Sequence, residues 1–376
     1  MVRNAVVTSI VIAALAAAVL FVWQFGGTKS EPAQQPDSDL AGDQAPPDFL
    51  GEFGTASFPD QSNTGNSSRF DCEPFDPYAG MSDQERLSAW EKESAEIARR
   101  LSTSEDAEHL VVAAMLERPK DAQRAFELLV RASTLAPENP LVTWNLLQVC
   151  SRTGDVCAGR LNDIENQAIA ADAGNAALWA SMASIRQRRG DDDLALNALR
   201  MAAGAPEYNA YFGEHLLLYD RALAAAADRS SMYRIAAAWG YAAAASGAEI
   251  RVLADCSEQA ESSILWRDYC RQLGETMARH GRTYLHTSVG LSLQSNMYGI
   301  AGGTQQQQRI DERHAKLRQS IGRLSQGDIV EIMSRDESLV RAYTDVFISS
   351  GELAAVNFAE RDVERLKSMP DYDPCR

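Results

Sequence analysis

Hydrophobic and polar positions divide this chain into three stretches of different character. From Ala5 to Phe25 there are 21 residues without a charge, interrupted only by Thr8, Ser9 and Gln24 as polar residues. From Gly27 to Pro77 apolar positions thin out. This stretch holds seven of the 13 prolines, and Gly, Ser, Asp, Asn and Gln fill most of the rest. From Ser82 onward apolar residues recur at helical spacing, opening on Ser82-Asp83-Gln84-Glu85, the signature of a capped, acidic first turn. No stretch alternates as a strand would. Within the helical part, Trp144 and Trp179 stand 35 residues apart. Each opens a helical phrase ending near a Gly-Asp turn, Gly154-Asp155 and Gly190-Asp191, before a second helix. A period near 34 with that layout predicts stacked helical hairpins, because one hairpin cannot bury both of its faces. After Asn209 the repeat fades while helices continue. They are expected at Glu214–Ala227, Ser231–Ser246, Ile264–His280, Arg282–Met297, Gln305–Arg323, Glu337–Ser349 and Glu352–Lys367, with a loop at Gly299–Thr304.

The repeated phrase resembles the tetratricopeptide repeat. Asp106 to Asn139 fits best, with His109 in the Trp slot, Val112, Ala113 and Leu116 on the first helix, and Ala125, Leu129, Ala132 and Pro137 on the second. Ala176 to Asn209 fits through Trp179, Met182, Ala183, Gly190, Ala195, Leu199 and Ala202, and departs at Arg186, where a large apolar residue is expected. Leu141 to Asn175 keeps Trp144, Leu147 and Ala168 but slips by one residue around its turn. The resemblance implies an all-α fold of hairpins stacked into a superhelix, with further C-terminal helices. It also implies a binding groove lined by the first helix of each hairpin. Carried over by slot, the groove residues are Val142, Asn145, Val149 and Arg152, then Ala180, Ser184 and Gln187 with Ala177. The first copy contributes Ala107, Leu110, Ala114 and Glu117. The family's clamp for C-terminal carboxylates needs Asn where this chain has Val111, Leu146 and Ser181, which argues against that subclass.

The apolar run at 5–25 is about 31 Å long as a helix, enough to cross a hydrocarbon core of about 30 Å. Arg3 precedes it, and acidic residues follow Lys29, so the positive-inside rule places the remainder outside the cytoplasm. A cleaved signal peptide would use Ala16-Ala17-Ala18 and would leave a greasy terminus at Val19–Trp23. The expected organisation is a cytoplasmic tail (1–4), a transmembrane signal anchor (5–25), a flexible linker (26–80), repeats (81–209) and a C-terminal helical region (210–376). That linker cannot bury enough apolar surface to offset its ordering entropy. Phe49, Phe53, Phe58, Phe70 and Phe75 are its apolar exceptions.

Six cysteines in an exported chain suggest disulfides. Cys150 and Cys157 flank the Gly154-Asp155 turn and can meet across it. Along one helix Cys256 and Cys270 would lie about 21 Å apart, so their pairing needs a reversal at Ser257–Ser263, which offers a serine N-cap. Cys72 and Cys375 remain as a third pair. Buried free thiols are the alternative. No CxxC or nearby Cys/His set suggests zinc, and neither a metal nor a cofactor is expected.

Thirty-six basic against 52 acidic residues give a net charge of −16, which opposes nucleic-acid binding. HExxH, GxSxG, P-loop and GxGxxG are absent from the sequence, and the five histidines do not share a helix face at ligand spacing. His280 and His286 are the pair that could meet at a helix junction. Arg152, Arg186, Arg188 and Arg189 leave a basic spot in an acidic protein, which has two readings: attraction of an acidic peptide and, the simpler one, solvation of helix ends. The sequence therefore reads as a single-pass protein of a bacterial inner membrane, its bulk periplasmic, acting as a scaffold or adaptor for other envelope proteins or peptides. The alternative is a glycan-cleaving envelope hydrolase whose catalytic residues come together only in the fold. Oligomeric state is not legible in the sequence.

Overall fold

The computed structural model describes residues 78, 80–227, 229–245, 249–322 and 327–374. The expected membrane span, nearly all of the linker, Cys72 and Cys375 lie outside the described residues. Among the described residues no helix is long and apolar enough to cross a membrane.

The described chain is all-α. Its helices are α1 (Asp83–Leu101), α2 (Ala107–Glu117), α3 (Ala122–Leu135), α4 (Pro140–Thr153), α5 (Leu161–Asp172), α6 (Ala176–Arg188), α7 (Asp192–Gly204) and α8 (Phe212–Ala226). They continue as α9 (Ser231–Ala245), α10 (Glu249–Ala260), α11 (Ile264–His280), α12 (Tyr284–Ile300), α13 (Thr304–Gly322), α14 (Gly327–Met333), α15 (Glu337–Ser350) and α16 (Glu352–Lys367). The only strand-like pairing among them is an isolated bridge between Asn175 and Glu207. Helix starts follow local chemistry. The Ser82 side chain accepts from Glu85 N while Glu85 reaches back to Ser82 N, closing a capping box. Asp106, Asp121, Asn175, Ser263, Thr283 and Asp336 cap α2, α3, α6, α11, α12 and α15 in the same sense. Two helices, α10 and α14, are additions to the expected set. The stretch over Ser257–Ser263 stays helical to Ala260, and the chain turns only at 261–263.

Helices α2–α3, α4–α5 and α6–α7 form three hairpins, and their first helices lie side by side, α2 against α4 and α4 against α6. The small and large residues of the repeat phrase carry the packing. Ala125, Leu129, Ala132, Ala168, Ala195, Leu199 and Ala202 are buried, as are Trp144 and Trp179. The Trp179 indole N–H donates to Ala173 O at 2.8 Å, tying the third hairpin to the end of the second. Arg186 occupies its apolar slot through an ion pair. Its guanidinium binds both oxygens of Glu165, and Asp191 at 3.1 Å. The third hairpin leads into α8–α9, and α11 packs on both α7 and α12. The α11–α12 contact is backbone-close. A Cβ at Gly274 would sit 2.8 Å from Gly290 O, so only glycine admits this approach. Tyr78, just inside the expected linker, is buried and bonds through its hydroxyl to Glu93 and Tyr233, so the folded part reaches back to it.

The structure contains the disulfides Cys150–Cys157 across the 3-10 turn Gly154–Cys157 and Cys256–Cys270 across the α10–α11 turn. Their Cα atoms are 5.4 and 5.9 Å apart.

Candidate functional site

The residues expected to line a groove do not line an open one. Val142, Asn145 and Val149 are each 1 % exposed, and Ala180 and Ser184 are 4 % exposed. Arg152 and Gln187, like Ala107 and Glu117 in the first copy, lie towards the ends of their helices and are partly exposed. The cover is the chain's own later part. Helix α8 packs on α1 and α2 and reaches α4, where Asn145 Nδ2 lies 3.0 Å from His215 Nε2 and the Trp144 ring lies 5.6 Å from that of Tyr211. Helix α10 packs on α6, where the Ser184 hydroxyl donates to Asp255. The expectation of an open groove is thereby corrected. The sequence held a signal for this. Leu110 to Leu116 in α2 and Ala176 to Ile185 in α6 are continuously buried, and few of those residues are strongly polar. A helix apolar all round must be covered all round, whereas a groove helix keeps one wet face.

The arginines of the basic spot are largely engaged within the chain. Arg186 is spent on Glu165 and Asp191, Arg189 pairs with Asp191 at 3.7 Å, and Arg188 Nε donates to Ser184 O.

Groups able to do chemistry are mostly enclosed. Ser288 Oγ lies 2.6 Å from His314 Nε2, and burial with the nearby Arg318 charge pushes the His314 imidazolium down. Such a pair could activate a hydroxyl. Ser288, however, is 1 % exposed between α12 and α13, where a polymeric substrate has no approach. Of the pair His280 and His286, His286 is buried against Tyr208 while His280 is exposed. Glu352, at the first position of α16, is buried and accepts from Tyr284 N; burial pushes its carboxyl up to about 7. Among the described residues no group of three or more His, Cys, Asp or Glu is arranged to hold a metal.

An accessible crevice with both apolar and charged walls lies between α8, α9 and α15. Leu216, Ile235, Ala238 and Trp239 form its buried floor, and Leu217, 40 % exposed, stands at its mouth. The Trp239 indole N–H donates to Thr344 Oγ1 at 3.1 Å, and Phe212 and Phe347 pack on its ring, so this wall is fixed in place. Asp220, Arg341, Thr344, Asp345 and Ile348 complete the lining. Asp220 pairs with Arg234 at 3.2 Å, and Arg341 with Glu337 at 3.4 Å along its own helix. Asp345 is exposed, and its carboxylate makes no hydrogen bond or ion pair with any described residue. Sequence reasoning placed the three helices but not this crevice, because it joins residues more than 100 positions apart. No family model, curated protein or solved structure matches this chain.

Proposed function

We propose that this chain is a membrane-tethered periplasmic scaffold or adaptor that holds other envelope proteins or peptides. In this reading residues 5–25 anchor it, the linker gives reach, and a tetratricopeptide-like head, its hairpins stacked as a superhelix, presents the binding surface. The observation that carries the reading is the set of three consecutive hairpins whose buried small and large residues recur in the register of that repeat. Repeat arrays of this kind serve recognition through extended surfaces. Two disulfides at helical turns suit an oxidising compartment. Because the first-helix face is covered, partners meet the outer surfaces of the head.

The test is photo-crosslinking in intact cells from single positions on the head. Exposed positions such as Leu217 and Leu194 should give adducts with discrete envelope proteins, and a buried position such as Val142 none. Absence of adducts from every exposed position would remove the scaffold reading. A reporter active only outside the cytoplasm, fused after Arg376, should be active; activity of a cytoplasmic reporter instead would remove the periplasmic one.

A second reading, a glycan-cleaving hydrolase, draws on Asp220 and Asp345 lining one crevice, since glycoside hydrolysis uses two carboxyl groups flanking the bond. It requires soluble fragments to be released from purified envelope glycan and the release to stop in both Asp220→Asn and Asp345→Asn.

A further inference from the structure

We propose that the α8–α9–α15 crevice is a docking site for a protein segment that places an apolar side chain beside a lysine or arginine. This deepens the scaffold reading and rests on it. The apolar half of the argument is the floor of Leu216, Ile235 and Trp239, continued to the surface by Leu217, which is 40 % exposed. An exposed leucine above a rigid aromatic wall offers contact area with little further ordering, the arrangement that makes interface anchors effective. The pinned indole of Trp239 leaves that wall already in its bound form.

The charged half comes from pairing. Asp220 is offset by Arg234 and Arg341 by Glu337, which leaves the Asp345 carboxylate as the uncompensated charge of the lining. The chain as a whole carries −16. A cationic segment is drawn to such a surface over distances of about a Debye length, and an acidic one is repelled. The rim therefore selects the sign of the partner's charge, and the floor selects an apolar neighbour. A nucleic acid fails on charge, and a wholly polar basic peptide leaves the floor empty.

The experiment uses the full chain with isotope-labelled Ile and Leu methyl groups and three probe peptides, each acetylated and amidated. One alternates lysine and leucine, one replaces every lysine by glutamate, and one replaces every leucine by serine. Titrating the lysine–leucine peptide should shift the methyl signals of Leu216, Leu217, Ile235 and Ile348 saturably, and the other two should shift them at least about tenfold less at equal concentration. Asp345→Lys should abolish the response, and Leu217→Ala should weaken it about tenfold. Both positions are exposed, so these variants fold. Shifts of equal size with the glutamate peptide, shifts confined to other methyls, or no shifts at all would overturn the proposal. The outcome is separable from the scaffold reading. Crosslinked partners with a silent crevice sink this proposal alone, whereas a responsive crevice without crosslinked partners sinks the scaffold reading alone.

Discussion

The side-chain amide of Asn145 lies 3.0 Å from Nε2 of His215, and both residues are buried. An amide nitrogen can only donate, so His215 Nε2 is the acceptor and the ring is neutral with its proton on Nδ1. Asn145 Nδ2 also donates to Leu141 O, so one amide joins α4 to α8 while satisfying its own helix. Asn145→Ala should therefore act on stability. It leaves a buried acceptor unpaired, at a cost of about 1–3 kcal/mol. Urea unfolding of the variant checks this; an unchanged midpoint would mean that water reaches the α4–α8 seam.

Acid should weaken the fold through two buried imidazoles. Burial, helped by the Arg118 charge, pushes His215 down to about 3, and burial alone pushes His286 down to about 4. An unfolded histidine takes its proton near 6.5, so below that pH the unfolded state binds more protons than the folded one. The stability held above pH 6.5 is lost progressively as pH falls towards the folded values. His286→Gln should flatten the urea midpoint between pH 7 and pH 5; a slope as steep as that of the parent protein would show that other groups carry it.

Glu352 works in the opposite direction. Burial raises its carboxyl to about 7, so the folded state holds this proton more tightly than an unfolded glutamate near 4.3. No penalty applies below the unfolded value. It grows as pH rises to about 7 and reaches about 4 kcal/mol above that. Glu352→Gln keeps an acceptor for Tyr284 N–H and should raise stability at pH 8 while leaving pH 4 nearly unchanged. An equal effect at both pH values would exclude titration as the cause.

Arg186 and Glu165 pair with side-chain exposures of only 13 % and 11 %. Arg186→Ala leaves a mostly buried carboxylate without its main partner and should cost about 3–5 kcal/mol. Replacing both by leucine restores the apolar filling that the repeat pattern expects at position 186, and should be close to neutral or stabilising. Calorimetry of the single and double variants decides; a double variant as unstable as the single one would show that geometry, not charge, is the constraint.

The disulfides Cys150–Cys157 and Cys256–Cys270 should both be found by peptide mapping of the unreduced protein isolated from cells. Removing Cys256–Cys270 by paired alanines should lower stability by about 3 kcal/mol in the loop-entropy picture. Free thiols at these four positions would argue against an oxidising compartment. The expected third pair, Cys72–Cys375, lies outside the described residues and is settled by the same map.

Local signals were legible wherever neighbours in sequence decide the outcome. Ser82 with Glu85, the serine N-cap at Ser263, and the Gly190-Asp191 turn mark helix limits through hydrogen bonds closed within a few residues. The helix Ile264–His280 was expected with the bounds it has, and Cys256–Cys270 needed only the reversal before Ser263. The repeat's small and large residues were read correctly as core, because helix pairs within a hairpin are set by short turns. What faces a hairpin's other side is not local. Asn145 and Ser184 were assigned to a surface on the assumption that the repeats end in solvent, whereas residues 70 and 71 positions later close over them. Sequence alone thus determined the helical class, the hairpin unit and two disulfides, all governed by short-range geometry. The tertiary structure alone decided which apolar face the chain buries against itself, and therefore that the exposed crevice lies between α8, α9 and α15, since burial depends on long-range packing that no short window of sequence contains.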